Sequence, residues 1–147
     1  MNDRMKNFWR EHSLSILAIA ILSTWIIASQ FTDDQSHWGA FFNNAIADWS
    51  GVVAVVLATK YLYEKNSRES NEPPAEPLDE PRWKQFIIEH SLSLFFGITA
   101  LGILILYINL DTQTKAGEIT GNILSEWIQT IGLILLTKKF VEIRSKE

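Results

Sequence analysis

Two acids stand where hydrocarbon would exclude them. Asp48 lies in "NNAIADWSGVVAVVLATKY" and Glu126 in "GNILSEWIQTIGLILLTKK", each followed by a tryptophan and then by a long apolar run. A carboxylate inside such a span can relay a proton, hold a cation or bond a neighbouring helix. From Asp48 to Lys60 is 12 residues, as it is from Glu126 to Lys138; on a helix that is about 18 Å, short of the roughly 30 Å of a hydrocarbon core. Lysine reaches the boundary more easily than a short acid does, so the carboxylates are the candidates for burial.

Helical phase places more polar groups beside them. At about 100° per residue, Asn44, Asp48, Val52, Val55 and Thr59 share one face of their helix, and Asn122, Glu126, Thr130 and Thr137 share the matching face of theirs, with Gln129 alongside. Lipid penalises a polar stripe, so the stripe is expected to face the bundle interior or a partner subunit. In the structural reading Asn44 and Asn122 cap or join helices, and the acids sit at headgroup level beside Trp49 and Trp127. The alternative is a small proton or cation channel or transporter that uses the stripe. Ala47, Gly51, Ala54 and Ala58 form a small-residue seam next to it, and Ser93, Gly97 and Ala100 offer another.

A second constellation repeats a word. "EHSLS" occupies residues 11–15 and again 89–93. Glu11 and His12 are expected near Lys60, and Glu89 and His90 near Lys138, with carboxylate–lysine pairs either within each set or crossed between sets. Acids at helix starts and bases at helix ends complement the backbone dipoles. The sharper expectation is that His12 and His90, of a residue type that titrates between about pH 5 and 8, gate one mouth of the protein. Metal ligation by the two histidines and two glutamates would require both helix ends to meet, and no metal or other cofactor is expected. Cysteine is absent, as are a phosphate-cradling glycine loop, G-x-S-x-G and H-E-x-x-H, so enzyme chemistry is not expected.

The elements that position these residues follow from the same repetition. Sliding the chain by 78 positions aligns His12 with His90, Asp33 with Asp111, Asn44 with Asn122, Trp49 with Trp127 and Lys60 with Lys138, in register over more than 60 residues. That is an internal duplication: repeat 1 over 1–66, a Pro/Glu-rich linker over 67–83, and repeat 2 over 84–147. Average composition, 47% hydrophobic and 20% charged, resembles that of a soluble domain. The charges are segregated, however, and residues 13–31 and 91–110 contain none. Four transmembrane helices are expected at about 11–31, 41–63, 86–110 and 119–141, two per repeat. The fold class is all-α, a four-helix transmembrane bundle of two parallel-repeat hairpins. Arg4, Lys6 and Arg10 before the first span invite a signal-peptide reading, but an equivalent span at 86–110 argues for a retained N-terminus.

Basic residues set the expected orientation. They cluster before the first span, between the second and third, and after the fourth, while Lys115 alone falls on the other side; both termini and the linker are therefore expected in the cytoplasm. The linker holds all four prolines and reads as a solvated spacer. Trp9 and Trp83 fit an inner interfacial belt, and Trp38, Trp49 and Trp127 an outer one. The repeated "EHSLS", the acid-Trp pair in the second helix and the acidic proline-rich joint resemble a family of small, uncharacterised bacterial four-span membrane proteins. That resemblance implies an integral protein of the bacterial inner membrane and no particular activity. The expected partners are the lipid bilayer and a second copy or another membrane protein, with no nucleic acid.

Overall fold

The computed structural model describes residues 3–33, 36–74, 81–138 and 140. Five helices account for most of them: α1 (Asp3–Ser29), α2 (His37–Tyr61), α3 (Arg82–Glu89), α4 (Ser91–Asn109) and α5 (Lys115–Leu136). Four stretches, Arg4–Ser29, His37–Tyr61, Ser91–Asn109 and Lys115–Leu136, are long and apolar enough to cross a membrane. The chain is an all-helical membrane protein of the four-helix type.

Packing runs in a row. α1 lies on α2, α2 on α5 and α5 on α4, with a smaller contact between α2 and α4. Ala58, Leu92, Phe96, Trp127 and Ile134 form the buried cluster where α2, α4 and α5 meet. Outward-facing residues such as Ile98, Leu101, Ile105 and Ile108 stay exposed, as lipid-facing positions should.

Both hairpins are pinned in the same way at their short connections. Ser36 caps α2 by accepting from the Gly39 amide at 3.0 Å and donates to the Asp33 carbonyl at 2.6 Å. Thr114 caps α5 by accepting from Gly117 at 3.1 Å and donates to the Asp111 carbonyl at 2.6 Å. Capping therefore falls to these hydroxyls, and Asn44 and Asn122 are not caps. The tight turn explains one glycine: a Cβ on Gly117 would stand 2.2 Å from the Asp111 carbonyl oxygen.

The third span differs from its expected continuous form over 86–110. It is broken at His90, which ends α3 and precedes α4. The cause is the chain leaving α2. The Leu92 amide donates to the Tyr63 carbonyl at 3.0 Å, and the Lys65 amide donates to the Glu89 carbonyl at 2.8 Å. These bonds replace the intrahelical ones that a continuous helix would make there. The fourth span also stops short of its expected end, at Leu136. Trp127 is buried in the core with its indole donating to Thr99 at 2.8 Å, so it does not belong to an outer belt.

The small-residue seam of α2 is buried at Ala47, Gly51 and Ala58. A Cβ on Gly51 would meet the Glu126 side chain at 3.6 Å, ordinary contact. The second candidate seam is not closed, because Gly97 is exposed with nothing near its Cβ position. Gly51→Ala is expected to be tolerated, while Gly51→Leu overfills the seam and costs about 1–3 kcal/mol. Thermal unfolding in detergent checks this; equal stability of both variants would contradict the close α2–α5 approach.

Candidate functional site

The seam between α2 and α5 gathers the part of the expected stripe nearest the capped helix starts. Near the capped ends, Asn43, fully buried, donates to the Glu118 carboxylate at 2.9 Å. One position along, Asn122 donates to Asn44 at 2.7 Å. A turn deeper, Asp48 and Glu126 lie in hydrogen-bonding contact. Each acid is eleven residues from the start of its helix, about three turns in. Asn44 with Asn122 and Asp48 with Glu126 are pairs 78 residues apart, so equivalent positions of the sequence repeat meet face to face.

One side of this ladder is open. Asn44 and Asp48 are exposed and Glu126 is half-buried, while Ser125 and Gln129, bonded to each other at 3.3 Å, widen the polar strip on α5. Next to it, a cleft of about 480 Å³ is lined by Tyr107, Thr112, Glu118, Asn122 and Ser125. The interior does not absorb these groups.

The inner half of the stripe does not continue the ladder. Thr59 donates to the Val55 carbonyl at 2.7 Å. Thr137 donates to the Ile134 carbonyl at 3.3 Å and lies 3.0 Å from the Ser67 hydroxyl. Thr59 and Thr130 line one cavity of about 60 Å³ with Glu69 and the apolar Val55, Leu92, Phe96 and Ile134. The polar groups here are interleaved with apolar side chains and are not bonded to each other across the seam.

The charged cluster at the end where α2 and α5 stop is rearranged relative to expectation, around Glu64, which the sequence did not single out. The Glu64 side chain is fully buried. It accepts from His90 Nδ1 at 2.7 Å and from the Ser93 amide at 2.9 Å, and pairs with the Lys138 ammonium. Its position just past α2 thus caps the first turn of α4, where free amides and the helix dipole favour an anion. The Ser70 hydroxyl accepts from the Glu64 amide at 2.6 Å, and Asn66, with φ of 64°, makes the turn between them, a conformation asparagine tolerates. Glu89 pairs with Lys65 instead of a helix-end lysine. Lys60 donates to the Glu11 carbonyl and to His12 Nδ1, both at 2.9 Å, while the Glu11 carboxylate stands 3.9 Å from His12 Nε2.

Neither expected carboxylate–lysine pairing therefore forms, and the two histidines differ at Nδ1: His90 meets a carboxylate there and His12 an ammonium. Among the described residues there is no cluster of three or more acids or histidines suited to a metal ion. One signal could have exposed Glu64, since it lies one helical turn beyond Lys60 and aligns with Glu142 in the 78-residue offset. Lys115, at the start of α5, donates to the Ser29 carbonyl at 2.8 Å and so caps the end of α1, where a cation is favourable.

The chain matches no family model, no curated protein and no solved structure among those compared.

Burial pushes the Glu64 carboxyl up, but the bonds from Lys138, His90 and Ser93 together outweigh it and hold the group below its ordinary value. The stability this adds is complete above the unfolded glutamate value of about 4.3 and is lost as pH falls through the lower folded value. Glu64→Gln strands the Lys138 ammonium and is expected to cost about 3 kcal/mol at pH 7, with the deficit shrinking below pH 4. Thermal unfolding across pH 3–7 checks this; a constant deficit, or none at pH 7, would contradict it.

Proposed function

We propose that this is an integral membrane protein of structural or interaction type, whose α2–α5 polar face binds a second copy of the chain. The carrying observation is that Asn44 and Asp48 lie exposed on a span of hydrocarbon length. Lipid supplies no partners for such groups, whereas another helix does. Asparagine, serine and glutamine both donate and accept, so a strip of them is self-complementary about a twofold axis. The basic residues support an orientation with both termini and the linker in the cytoplasm, and the setting proposed is a bacterial inner membrane. Matching caps at Ser36 and Thr114, and the Asn44–Asn122 bond, support descent from a duplicated hairpin.

The Asp48–Glu126 contact favours a second reading, since two carboxyl groups in bonding contact hold a proton or a cation between them. Binding at this pair would not by itself give a path through one chain, because no bonded polar ladder continues beyond it between α2 and α5 among the described residues.

Neither Ser125 nor Gln129 bonds another helix, and both are exposed, so changing them to leucine leaves the seam within the chain intact. The Ser125→Leu, Gln129→Leu variant is expected to self-associate about tenfold more weakly than wild type, as the loss of interhelical bonds in a bilayer would give, with unchanged thermal unfolding. Dilution-dependent energy transfer between labelled chains in vesicles measures it. A wild type that stays monomeric at every dilution would sink the interaction reading; proton or cation flux in that monomer, lost with Asp48→Asn and Glu126→Gln, would establish the second one.

A further inference from the structure

The repeats share another word, which neither the polar strip nor the Glu64 cluster uses. "RMKNFW" at 4–9 and "RWKQFI" at 82–87 align at the 78-residue offset, just ahead of Glu11 and Glu89. At about 100° per residue, Met5, Phe8 and Trp9 share one helix face, and Trp83, Phe86 and Ile87 share its equivalent. Arg4 and Lys6 fall at the two edges of the first face, as Arg82 and Lys84 do at the second, while Glu11 and Glu89 lie behind. An apolar face edged by cations is the pattern of a helix segment seated at a membrane surface, where the cations reach the headgroups.

Both faces are uncovered: their six apolar residues are exposed, and so are the four cations at their edges. The words are held alike, with Phe8 against His12 and Phe86 against His90, ring centroids 4.8 Å apart in each pair. They stand at one end of the row, because Lys60 in the last turn of α2 meets His12 and Glu64 just past α2 meets His90. Their depth follows from helix length. α4 has 19 residues, about 28 Å, and so crosses roughly 30 Å of hydrocarbon without α3. α3, which buries none of its residues, therefore falls at the headgroup boundary. α1 has 27 residues, about 40 Å, and its first turns project past the same boundary. The acids behind the two faces are engaged within the protein, Glu89 with Lys65 and Glu11 at 3.9 Å from His12.

We propose that these two words are binding sites for anionic phospholipid, one per repeat, in the leaflet at this end of the protein. The guanidinium of Arg4 or Arg82 takes phosphate oxygens through paired N–H donors. Lys6 or Lys84 adds a second cation across the apolar face, whose rings lie against the acyl chains. A zwitterionic lipid carries the same phosphate with an ammonium that cancels its charge, so the sites select headgroups of net negative charge. The inference stands apart from the self-association reading, since the open strip lies toward the starts of α2 and α5 and the basic words lie at the opposite end.

The full chain in vesicles with the same lipids in both leaflets gives a readout that does not depend on the direction of insertion. Spin-labelled phosphatidylglycerol and phosphatidylcholine report, by the fraction of each that the protein immobilises, how strongly each associates. Wild type is expected to prefer phosphatidylglycerol at least about threefold. Arg4→Gln with Lys6→Gln is expected to remove about half of that preference, Arg82→Gln with Lys84→Gln the other half, and all four changes together to bring the two lipids to parity with thermal unfolding unchanged. Arg68→Gln, at an exposed cation outside both words, is expected to keep the preference. Equal association of the two lipids with wild type would overturn the proposal, as would a preference that survives all four changes or that Arg68→Gln removes equally well. The two double variants keep the test open if the fourfold variant does not fold, since a preference unchanged in either of them also overturns it.

Discussion

Hydrocarbon offers no hydrogen-bond partner, and that constraint shapes the seam between α2 and α5. Two helices carrying asparagines and acids three turns from their starts must either pair those groups with each other or present them to another protein. This chain does the first. Asn122 bonds Asn44, and Asp48 meets Glu126, while the other edge of the same strip stays open. Since α1 rests on α2 and α4 mainly on α5, the two hairpins are joined chiefly through this seam. Small residues allow it: Gly51 leaves room for the Glu126 side chain, and Ala47 and Ala58 are buried along the same helix.

Charged groups secure the ends of the row. At one end Lys115 reaches the last carbonyl of α1. At the other, Glu64 enters the start of α4 and gathers His90, Lys138 and the Ser93 amide around one buried carboxylate. The break at His90 follows from this arrangement, because amides that a longer helix would use internally are taken by Tyr63 and Glu64. Phe96 and Ile134 are buried between this end and the open strip.

The spans were legible because apolar runs of that length have few alternative fates, and helical phase grouped Asn44 with Asp48 and Asn122 with Glu126, each pair on one face of its own helix, without showing that the two faces meet. Phase did not reveal where the stripe stops. Thr59 turns its hydroxyl onto the Val55 carbonyl of its own helix, and Thr137 bonds the Ser67 hydroxyl of the segment after α2, which periodicity cannot distinguish from hydroxyls that bond across the seam. The charged cluster was harder still. Glu89 and Lys138 occupy plausible helix-end positions, but their partners, Lys65 and Glu64, come from the segment after α2, whose path depends on tertiary bonds. Glu64 looked like one acid among several in a polar stretch, and only its buried place at a helix start distinguishes it. Trp127 shows the same limit: the acid-Trp pattern suggested an interface, whereas Thr99 supplies an acceptor that lets the indole lie in the core.

What covers the open strip in a bilayer decides whether it is an interface, and spin labels can report that directly. Single labels at Ser125→Cys and Gln129→Cys, with Ile98→Cys and Ile105→Cys as lipid-facing references, would be tested for collision with oxygen and with a water-soluble nickel chelate. A strip covered by another chain predicts low access to both reagents at Ser125 and Gln129, and high oxygen access at the two references. Oxygen access at the strip equal to that of the references would mean that it faces lipid, and nickel access would mean that it lines water; either result would contradict the proposed interface.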